Sequence, residues 1–477
     1  MLDRTSGSVT LPRPSAPNGP LPRGQLIIDG APVPRARLAR AVDAVTKALE
    51  DLGIGEGTAV STPARTGLPV ITAAVAAQRL GAVLVLGEDP LGEDGHAALR
   101  GTIRARVQGD PAGLEPSVVR VEFGEPESPL PYPGASIFWT SGSTGTPKAV
   151  LLSRFALDYQ ATASAERFEV SAADGWVVPI PLSHAYGFSI MQMWLRFGCT
   201  LHLLSTMHPN VVAKSVCEPG SSMLDGVPAL YGVLLRIAER DPGLRARLSG
   251  LKLRGCGGDV LPETLRRRFT EAVGQPIHDG YGLTEAGPNV AVSAPSAHRA
   301  GTAGKALCGT ELRIAPGSGE LLVHGPGLMT GYVNDPAATA AAFTTDGWLR
   351  TGDRAELSAD GFLRITGRLK EVIIVQGETF APSSIEQVLL EHPDVAEAAV
   401  LGLPRGNARG DHVIAYVVPQ TSADQAVLVP ELTRLCRAEL PVVMRPRTIE
   451  TVTEFPRLAS GKLDRAALRR KGGLCDD

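Results

Sequence analysis

The sequence has few of the features that mark secreted, zinc-binding or membrane-spanning proteins. Its six cysteines are scattered, without a Cys-x-x-Cys pair and without paired histidines at metal-ligand spacing. This pattern argues against a disulfide framework and against a structural zinc site. No apolar run approaches the length of a membrane span. These absences predict a protein of the reducing cytoplasm with no membrane span and no structural metal.

The sequence also lacks a large excess of charge of either sign. The 47 lysines and arginines nearly balance the 50 aspartates and glutamates, which leaves a net charge of −3. A chain so balanced offers no overall electrostatic attraction to nucleic acid. The first 24 residues are rich in proline and arginine and contain no apolar segment of the signal-peptide kind. Residues 1–24 are therefore predicted to form a disordered extension.

The pattern of the remaining chain predicts an α/β protein of more than one packing unit. At 477 residues the chain exceeds a single ordinary core. From about residue 35, helical and strand-like segments alternate, with an Ala-rich helix predicted over 68–80, and this alternation is typical of sheets covered by helices. Apolar positions alternate at 311–314 and 320–323, between the glycines of 309–332, which predicts a small antiparallel subdomain. After Arg368 the pattern changes to that of a compact α+β unit. We expect a large N-terminal domain of helix-covered mixed sheets (25–367), with the small β subdomain, and a small C-terminal domain (371–477).

The segment 136–150, SIFWTSGSTGTPKAV, carries the clearest chemical signal. An apolar strand ends in a loop of hydroxyl residues and glycines, and Lys148 follows. Glycines allow backbone N–H groups to turn inward, hydroxyls add donors, and the lysine adds positive charge. This combination predicts a cradle for a polyphosphate. Its spacing differs from the Gly-x-x-x-x-Gly-Lys-Ser/Thr loop of P-loop nucleotide-binding proteins.

Further polar motifs follow in a fixed order. They are PLSHAYG at 181–187, GGDVLP at 257–262, DGYGLTE at 279–285, GWLRTGD at 347–353, Arg368, and SGKLDR at 460–465. Together with the phosphate loop they resemble the adenylate-forming superfamily of acyl-CoA synthetases, peptide-synthetase adenylation domains and luciferase-like enzymes. The resemblance extends from about residue 35 to residue 470. It implies activation of a carboxylic acid as acyl-AMP, release of pyrophosphate, and transfer of the acyl group to a thiol.

The resemblance also implies which residues bind ATP and Mg²⁺. Thr284 would contact the α-phosphate, and Glu285 would help to hold Mg²⁺, a cation that prefers carboxylate and phosphate oxygens. Tyr281 would stack on adenine, with Gly257 and Gly258 on its other side and Asp279 near the exocyclic amine. Asp353 and Arg368 would contact the ribose. The β- and γ-phosphates would be held by Thr140, Ser141, Gly142, Ser143, Thr144, Gly145 and Lys148.

The C-terminal domain is implied to be mobile and to serve both half-reactions. Lys462 would bridge the acyl carboxylate and the phosphate during adenylation, a task suited to a point charge on a flexible stem. The domain would then rotate about a hinge at 368–370, with Lys370 at the hinge position. In the second state Gly377 would leave room for a pantetheine arm.

The resemblance also places an acyl pocket, whose catalytic histidine is His184. The implied lining is His184, Ala185, Tyr186, Met191, Gly255, Cys256, Gly280 and Gly287. No acidic residue lies between Ala185 and Trp194, which disfavours an α-amino acid. The small, mostly apolar lining, with the Tyr186 hydroxyl as its obvious polar group, favours an uncharged fatty or aromatic acid. Cys256 is interpreted as a small apolar filler, since no base is identifiable beside it.

Three interpretations of the acceptor and activity remain open from the sequence. The preferred one is an acid:CoA ligase. The second is an enzyme that loads the phosphopantetheine of an acyl carrier protein. The third is a catalytically silent nucleotide-binding relative, which the joint presence of Lys148, Glu285, Asp353, Arg368 and Lys462 disfavours.

Overall fold

A computed structural model describes residues 21–62, 66–87, 103–109, 115–120, 133–140, 147–369, 371–376, 378–403, 411–420, 425–457 and 463–471. The predicted residues Ser141, Gly142, Ser143, Thr144, Gly145, Lys370, Gly377 and Lys462 lie outside these ranges. None of the described helices has the length and apolar character needed to cross a membrane.

The largest sheet has nine strands and carries most of the predicted site. Its members are β1 (Leu26–Ile28), β2 (Ala31–Val33), β9 (Gly175–Val178), β10 (Thr200–Leu203), β11 (Met223–Gly226), β12 (Leu253–Cys256), β13 (His278–Gly282), β14 (Asn289–Val292) and β15 (Lys305–Ala306). Their spatial order is β15-β14-β13-β12-β11-β9-β10-β1-β2. The strands from β1 to β13 in this order pair in parallel, whereas β2, β14 and β15 pair antiparallel.

Helices connect these parallel strands, as parallel pairing requires. They are α4 (Ala185–Phe197), α5 (Pro209–Cys217), α6 (Pro228–Ala238), α7 (Pro242–Gly250) and α8 (Glu263–Val273). The helix α4 ends at Gly198, whose φ of 73° gives the left-handed cap that glycine adopts without strain.

A second sheet of seven strands packs in the same domain. It contains β3 (Ala59–Thr62), β4 (Val83–Leu86), β5 (Ile103–Gly109), β6 (Pro116–Arg120), β7 (Ser136–Thr140), β8 (Lys148–Leu152) and β18 (Gly331–Tyr332). The order is β18-β8-β7-β4-β3-β5-β6. Helices of this part of the domain are α1 (Arg35–Asp51), α2 (Leu68–Leu80), α3 (Arg154–Arg167) and α9 (Pro336–Ala342).

The different burial of α1 and α2 follows from their sequences. α1 has apolar residues at helical spacing, and it buries only Leu38, Val42, Val45 and Leu49. α2 is apolar on every side from Leu68 to Ala77, and all ten of these residues are buried. A helix of this second kind belongs inside a protein. The helix predicted over 68–80 therefore lies in the core.

The small β subdomain is an antiparallel sheet of β16 (Glu311–Ile314), β17 (Glu320–His324), β19 (Leu349–Leu357) and β20 (Leu363–Arg368), in the order β16-β17-β19-β20. The C-terminal residues form a hairpin of β21 (Ile373–Val375) and β22 (Glu378–Phe380) and a three-stranded sheet of β23 (Val395–Leu403), β24 (His412–Pro419) and β25 (Thr448–Thr451). The helices α10 (Pro382–Leu390), α11 (Gln425–Glu439) and α12 (Arg465–Lys471) accompany these strands. Buried side chains give this unit a core of its own.

The predicted α/β class with a β subdomain and an α+β C-terminal unit is confirmed. The domain boundaries stay predictions, with one local difference at the N-terminus. Residues 21–24 fell within the predicted extension, yet Gly24 packs against the backbone of Cys199, where an added Cβ would lie 1.8 Å from the carbonyl oxygen. Ordered packing therefore begins a few residues earlier than residue 25.

Candidate active site

The predicted site residues of the nine-stranded sheet lie at the carboxyl ends of its parallel strands. His184 follows β9 and precedes α4, Gly257 follows β12, and Gly280 and Tyr281 lie in β13. The carboxyl edge of a parallel sheet is where open α/β proteins bind their ligands. Residues that are distant in the sequence are therefore brought to one edge.

Tyr281, Asp353 and Arg368 form a connected group. The Tyr281 hydroxyl donates a hydrogen bond to Oδ2 of Asp353 at 2.6 Å, and Nε of Arg368 lies 3.2 Å from Oδ1. Asp353 and Arg368 are also cross-strand partners in β19 and β20. Burial, followed by the Asp353 charge, raises the pKa of Tyr281 well above its ordinary value, so its hydroxyl remains a donor. The structure thus joins the predicted adenine and ribose residues.

Lys148 and Glu285 meet through Tyr332, which the sequence analysis did not select. The Tyr332 hydroxyl donates to Oε1 of Glu285 at 3.0 Å, and Nζ of Lys148 lies 4.6 Å from the centre of the Tyr332 ring. The strand β18 pairs antiparallel with β8, which places Tyr332 opposite Val150. A cation over an aromatic face is attracted by the ring quadrupole. Tyr332 therefore connects the cation of the predicted phosphate loop with the predicted magnesium ligand.

The two ends of the phosphate loop are fixed by the sheet. Thr140 ends β7, Lys148 begins β8, and the two residues are cross-strand partners. Thr284 and Glu285 lie in one short 3₁₀ turn, Thr284–Ala286, and both are half-buried. The structure therefore holds the loop ends, the predicted α-phosphate contact and the predicted magnesium ligand on defined backbone.

Asp279 has a protein partner. Its Oδ2 lies 3.5 Å from Nη2 of Arg266 on α8, and Arg266 also pairs with Glu263. Burial raises the pKa of Asp279 to about 7, against the opposing effect of Arg266. Contact of Asp279 with the adenine amine stays a prediction.

Two residues of the predicted acyl pocket, Tyr186 and Gly255, contact a carboxylate that the sequence analysis did not select. Asp225 on β11 is fully buried. It accepts hydrogen bonds from Nε1 of Trp176 at 2.5 Å and from the Tyr186 hydroxyl. A Cβ added to Gly255 would lie 2.2 Å from Oδ1 of Asp225, so this carboxylate rests on the bare backbone of Gly255. The proton of the Tyr186 hydroxyl, the obvious polar group of the predicted lining, is thus already donated to Asp225.

The other predicted lining residues do not lie in one place. A Cβ added to Gly257, a predicted adenine-site residue, would lie 3.3 Å from the Tyr186 ring and 3.6 Å from the Gly280 carbonyl oxygen, so Tyr186 and Gly280 adjoin Gly257. Ala185 and Gly287 instead line a small neighbouring cavity together with apolar side chains such as Phe138 and Phe188. Met191 is fully buried within α4. Burial raises the pKa of the Cys256 thiol well above its ordinary value, which fits a packing residue better than a nucleophile.

Comparison with known proteins identifies the class of this chain. The family model of the AMP-binding enzyme matches residues 109–333, and that of the AMP-binding enzyme C-terminal domain matches residues 384–462. The chain is 34% identical over 352 residues to the 2-succinylbenzoate–CoA ligase of Bacillus pumilus, covering 72% of this chain and 70% of the relative. It is 32% identical over 349 residues to the feruloyl-CoA synthase of an Amycolatopsis species, covering 71% and 70%.

A solved structure supports the same assignment to the AMP-binding enzymes. The o-succinylbenzoate CoA synthetase of Bacillus subtilis, in complex with its acyl-adenylate intermediate, superposes with a TM-score of 0.77 at 25% identity, covering 94% of this chain and 95% of that one. The chain belongs to the AMP-binding enzymes, the adenylate-forming superfamily, and resembles its acyl- and aryl-CoA synthetases. It is an ATP-dependent acid–thiol ligase.

Proposed function

We propose that this ligase activates a fatty or aromatic acid with ATP at the carboxyl edge of the nine-stranded sheet and transfers the acyl group to coenzyme A. The supporting observation is one series of contacts. It runs from Lys148 through Tyr332 to Glu285, and then along the backbone to Tyr281, which bonds Asp353. ATP bound along this series would meet a cation at its phosphates and a carboxylate at its ribose.

The donor set fits Mg²⁺. The described residues contain no group of three or more histidine, cysteine, aspartate or glutamate side chains suited to a metal ion. Mg²⁺ that accompanies a nucleotide needs only one or two protein carboxylates, because phosphate oxygens and waters supply the other ligands. Glu285 provides such a carboxylate, and Tyr332 fixes its orientation. When bound, Mg²⁺ would neutralise phosphate charge.

The residues outside the described ranges are proposed to complete the chemistry. Attack of a carboxylate on the α-phosphate brings two anions together, so positioning and neutralisation of charge dominate catalysis. Lys462 would supply the positive charge between the two anions, while residues 141–145 would bind the outer phosphates. The hinge at Lys370 and the open position at Gly377 would serve the thiol step.

Acid-dependent exchange between ATP and pyrophosphate, measured across fatty, aryl and amino acids, tests the proposal. A thioester assay with coenzyme A runs in parallel. Exchange with a fatty or aryl acid together with CoA thioester supports the proposal. Exchange without formation of a CoA thioester would indicate that the acceptor is a carrier protein and not coenzyme A. Absence of exchange with every acid, despite ATP binding, would contradict the proposal.

Replacing Asp353 with alanine should raise the KM for ATP and lower kcat/KM about tenfold to hundredfold, because hydrogen bonds to a charged acceptor are lost. Asp353 is 6% exposed, so thermal melting must accompany the kinetics. Asp360→Ala is the matched control, since Asp360 belongs to the same subdomain and pairs with Arg299 at the surface. A KM for ATP that stays unchanged in Asp353→Ala would show that this residue does not contact the nucleotide.

Replacing Tyr332 with phenylalanine keeps the ring beneath Lys148 but removes the hydroxyl bound to Glu285. We expect the Mg²⁺ concentration for half-maximal exchange to rise about threefold to tenfold, the effect of one lost hydrogen bond. Tyr159→Phe is the control, since that hydroxyl bonds the Cys308 carbonyl oxygen and the Thr310 hydroxyl rather than Glu285. An equal Mg²⁺ requirement in Tyr332→Phe and wild type would show that Glu285 needs no such support.

A further inference from the structure

Two buried aspartates of the nine-stranded sheet differ in how well their charge is compensated. Asp174 lies at the amino end of β9 and accepts from the Ser171 amide, the Ser171 and Ser222 hydroxyls, and the Lys252 ammonium, all within 3.0 Å. Although burial acts in the opposite direction, these donors hold the pKa of Asp174 below its ordinary value. Its charge is therefore fully compensated within the protein.

Asp225 lies at the opposite, carboxyl edge of the sheet, and fewer donors compensate its charge. Its two hydrogen bonds come from neutral groups, Trp176 and Tyr186, and no described lysine, arginine or histidine forms an ion pair with it. A carboxylate has about four acceptor positions, so about half of them remain unused. Burial raises the pKa of Asp225 to about 6. A fully buried carboxylate with this little compensation is costly to keep.

The position of Asp225 indicates a function for this poorly compensated charge. Asp225 contacts Tyr186 and Gly255, which belong to the predicted acyl pocket, and Tyr186 in turn adjoins Gly257. Glycine at 255 is required because any side chain there would occupy the place of the carboxylate. Perturbed acidic groups in a binding edge are candidates for ligand recognition. A donor on the ligand would supply the hydrogen bond that the protein does not.

We propose that Asp225 determines substrate specificity by accepting a hydrogen bond from a hydroxyl or amino group on the acyl portion of the acid. This inference rests on the proposed function and narrows its substrate class to acids that bear a hydrogen-bond donor. It replaces the uncharged lining expected from the sequence with a lining that contains one carboxylate. A site that reads a donor rejects the analogue lacking it, because the carboxylate is then left uncompensated.

The test compares parent acids with their substituted forms in ATP–pyrophosphate exchange. The panel contains benzoate with the hydroxybenzoate and aminobenzoate isomers, and hexanoate with 6-hydroxyhexanoate and 6-aminohexanoate. In the wild type, at least one hydroxyl-substituted or amino-substituted acid should exceed its unsubstituted parent in kcat/KM by about tenfold to hundredfold. At neutral pH the alkyl amine of 6-aminohexanoate is a cationic donor, whereas the hydroxyl groups and the aryl amines are neutral, so the panel distinguishes the two kinds of donor.

Two variants test whether the preference for substituted acids depends on the Asp225 carboxylate. In Asp225→Asn the ratio of substituted to parent acid should fall by about tenfold or more. Asp174→Asn changes a similarly buried aspartate at the other edge of the sheet, and it should leave the ratio unchanged. Thermal melting and ATP binding confirm folding, and the wild-type panel tests the inference even if Asp225→Asn does not fold.

The outcomes separate the two proposals. Exchange in which no substituted acid exceeds its parent overturns the inference and leaves the ligase function standing. A preference of undiminished size in Asp225→Asn also overturns it, since the charge of Asp225 would then contribute nothing to recognition of the donor. Absence of exchange with every acid overturns the proposed function, and the inference falls with it.

Discussion

Lys462→Ala should abolish acid-dependent ATP–pyrophosphate exchange while thioester formation from supplied acyl-AMP continues. Attack on the α-phosphate brings the substrate carboxylate against the charge of the nucleotide. Removing the proposed bridging cation withdraws stabilisation where charge is concentrated, and loss of one such group costs about 10²–10³ in rate. In the second half-reaction the acyl-AMP is already formed, so the thiol step does not need this lysine. The two half-reactions, measured separately, should therefore respond differently.

The control for this variant is Arg469→Ala. Arg469 is an exposed cation on α12, a few residues beyond Lys462 in the sequence, and its removal changes the net charge in the same way. It should leave both half-reactions unchanged. Equal loss of both half-reactions in Lys462→Ala would contradict the assigned role, since a residue used only in adenylation cannot slow a step that begins from acyl-AMP.

Elements with strong local patterns could be predicted from the sequence. The apolar helix over 68–80 and the alternating strands at 311–314 and 320–323 are found where the periodicity places them. The order of the polar motifs was enough to indicate the superfamily, and the family models confirm it. These features depend on short stretches of chain, which is why one sequence suffices.

Contacts across the sheets could not be predicted in the same way. Tyr332 reaches Glu285 and Lys148 because β18 pairs with β8, two strands about 180 residues apart in the sequence. No local pattern around Gly331 and Tyr332 specifies that pairing. Asp279 shows the same limit, because its partner Arg266 lies on a separate helix.

Asp225 shows how the pocket chemistry was missed. The segment after His184 contains no acidic residue, whereas this carboxylate enters from β11, a different strand. The available signal was a single aspartate between apolar residues in the sequence MLDGV, where a charged residue is unexpected in a buried strand. Interpreting that signal required the sheet order, which places β11 between β9 and β12 beside Tyr186 and Gly255.

Gly377→Leu should block thioester formation while acid-dependent ATP–pyrophosphate exchange survives. Gly377 is proposed to leave open the path of the pantetheine arm, and a leucine side chain would fill that path. Because adenylation occurs before the thiol binds, exchange should remain within about threefold of wild type while the thiol step falls about hundredfold, the order of loss expected when reacting groups are misplaced. The assays are exchange and CoA thioester formation from supplied acyl-AMP.

The matched control for Gly377→Leu is Gly232→Leu. Gly232 lies in α6, where an added Cβ would meet no atom within 4 Å, so the same substitution is made where space is open. Both half-reactions should persist in this control. Thioester formation at the wild-type rate in Gly377→Leu would show that the arm reaches the acyl group by another path. Loss of the thiol step in Gly377→Leu and of adenylation in Lys462→Ala would together assign the two half-reactions to different residues of one C-terminal unit, as alternation of that unit between two positions requires.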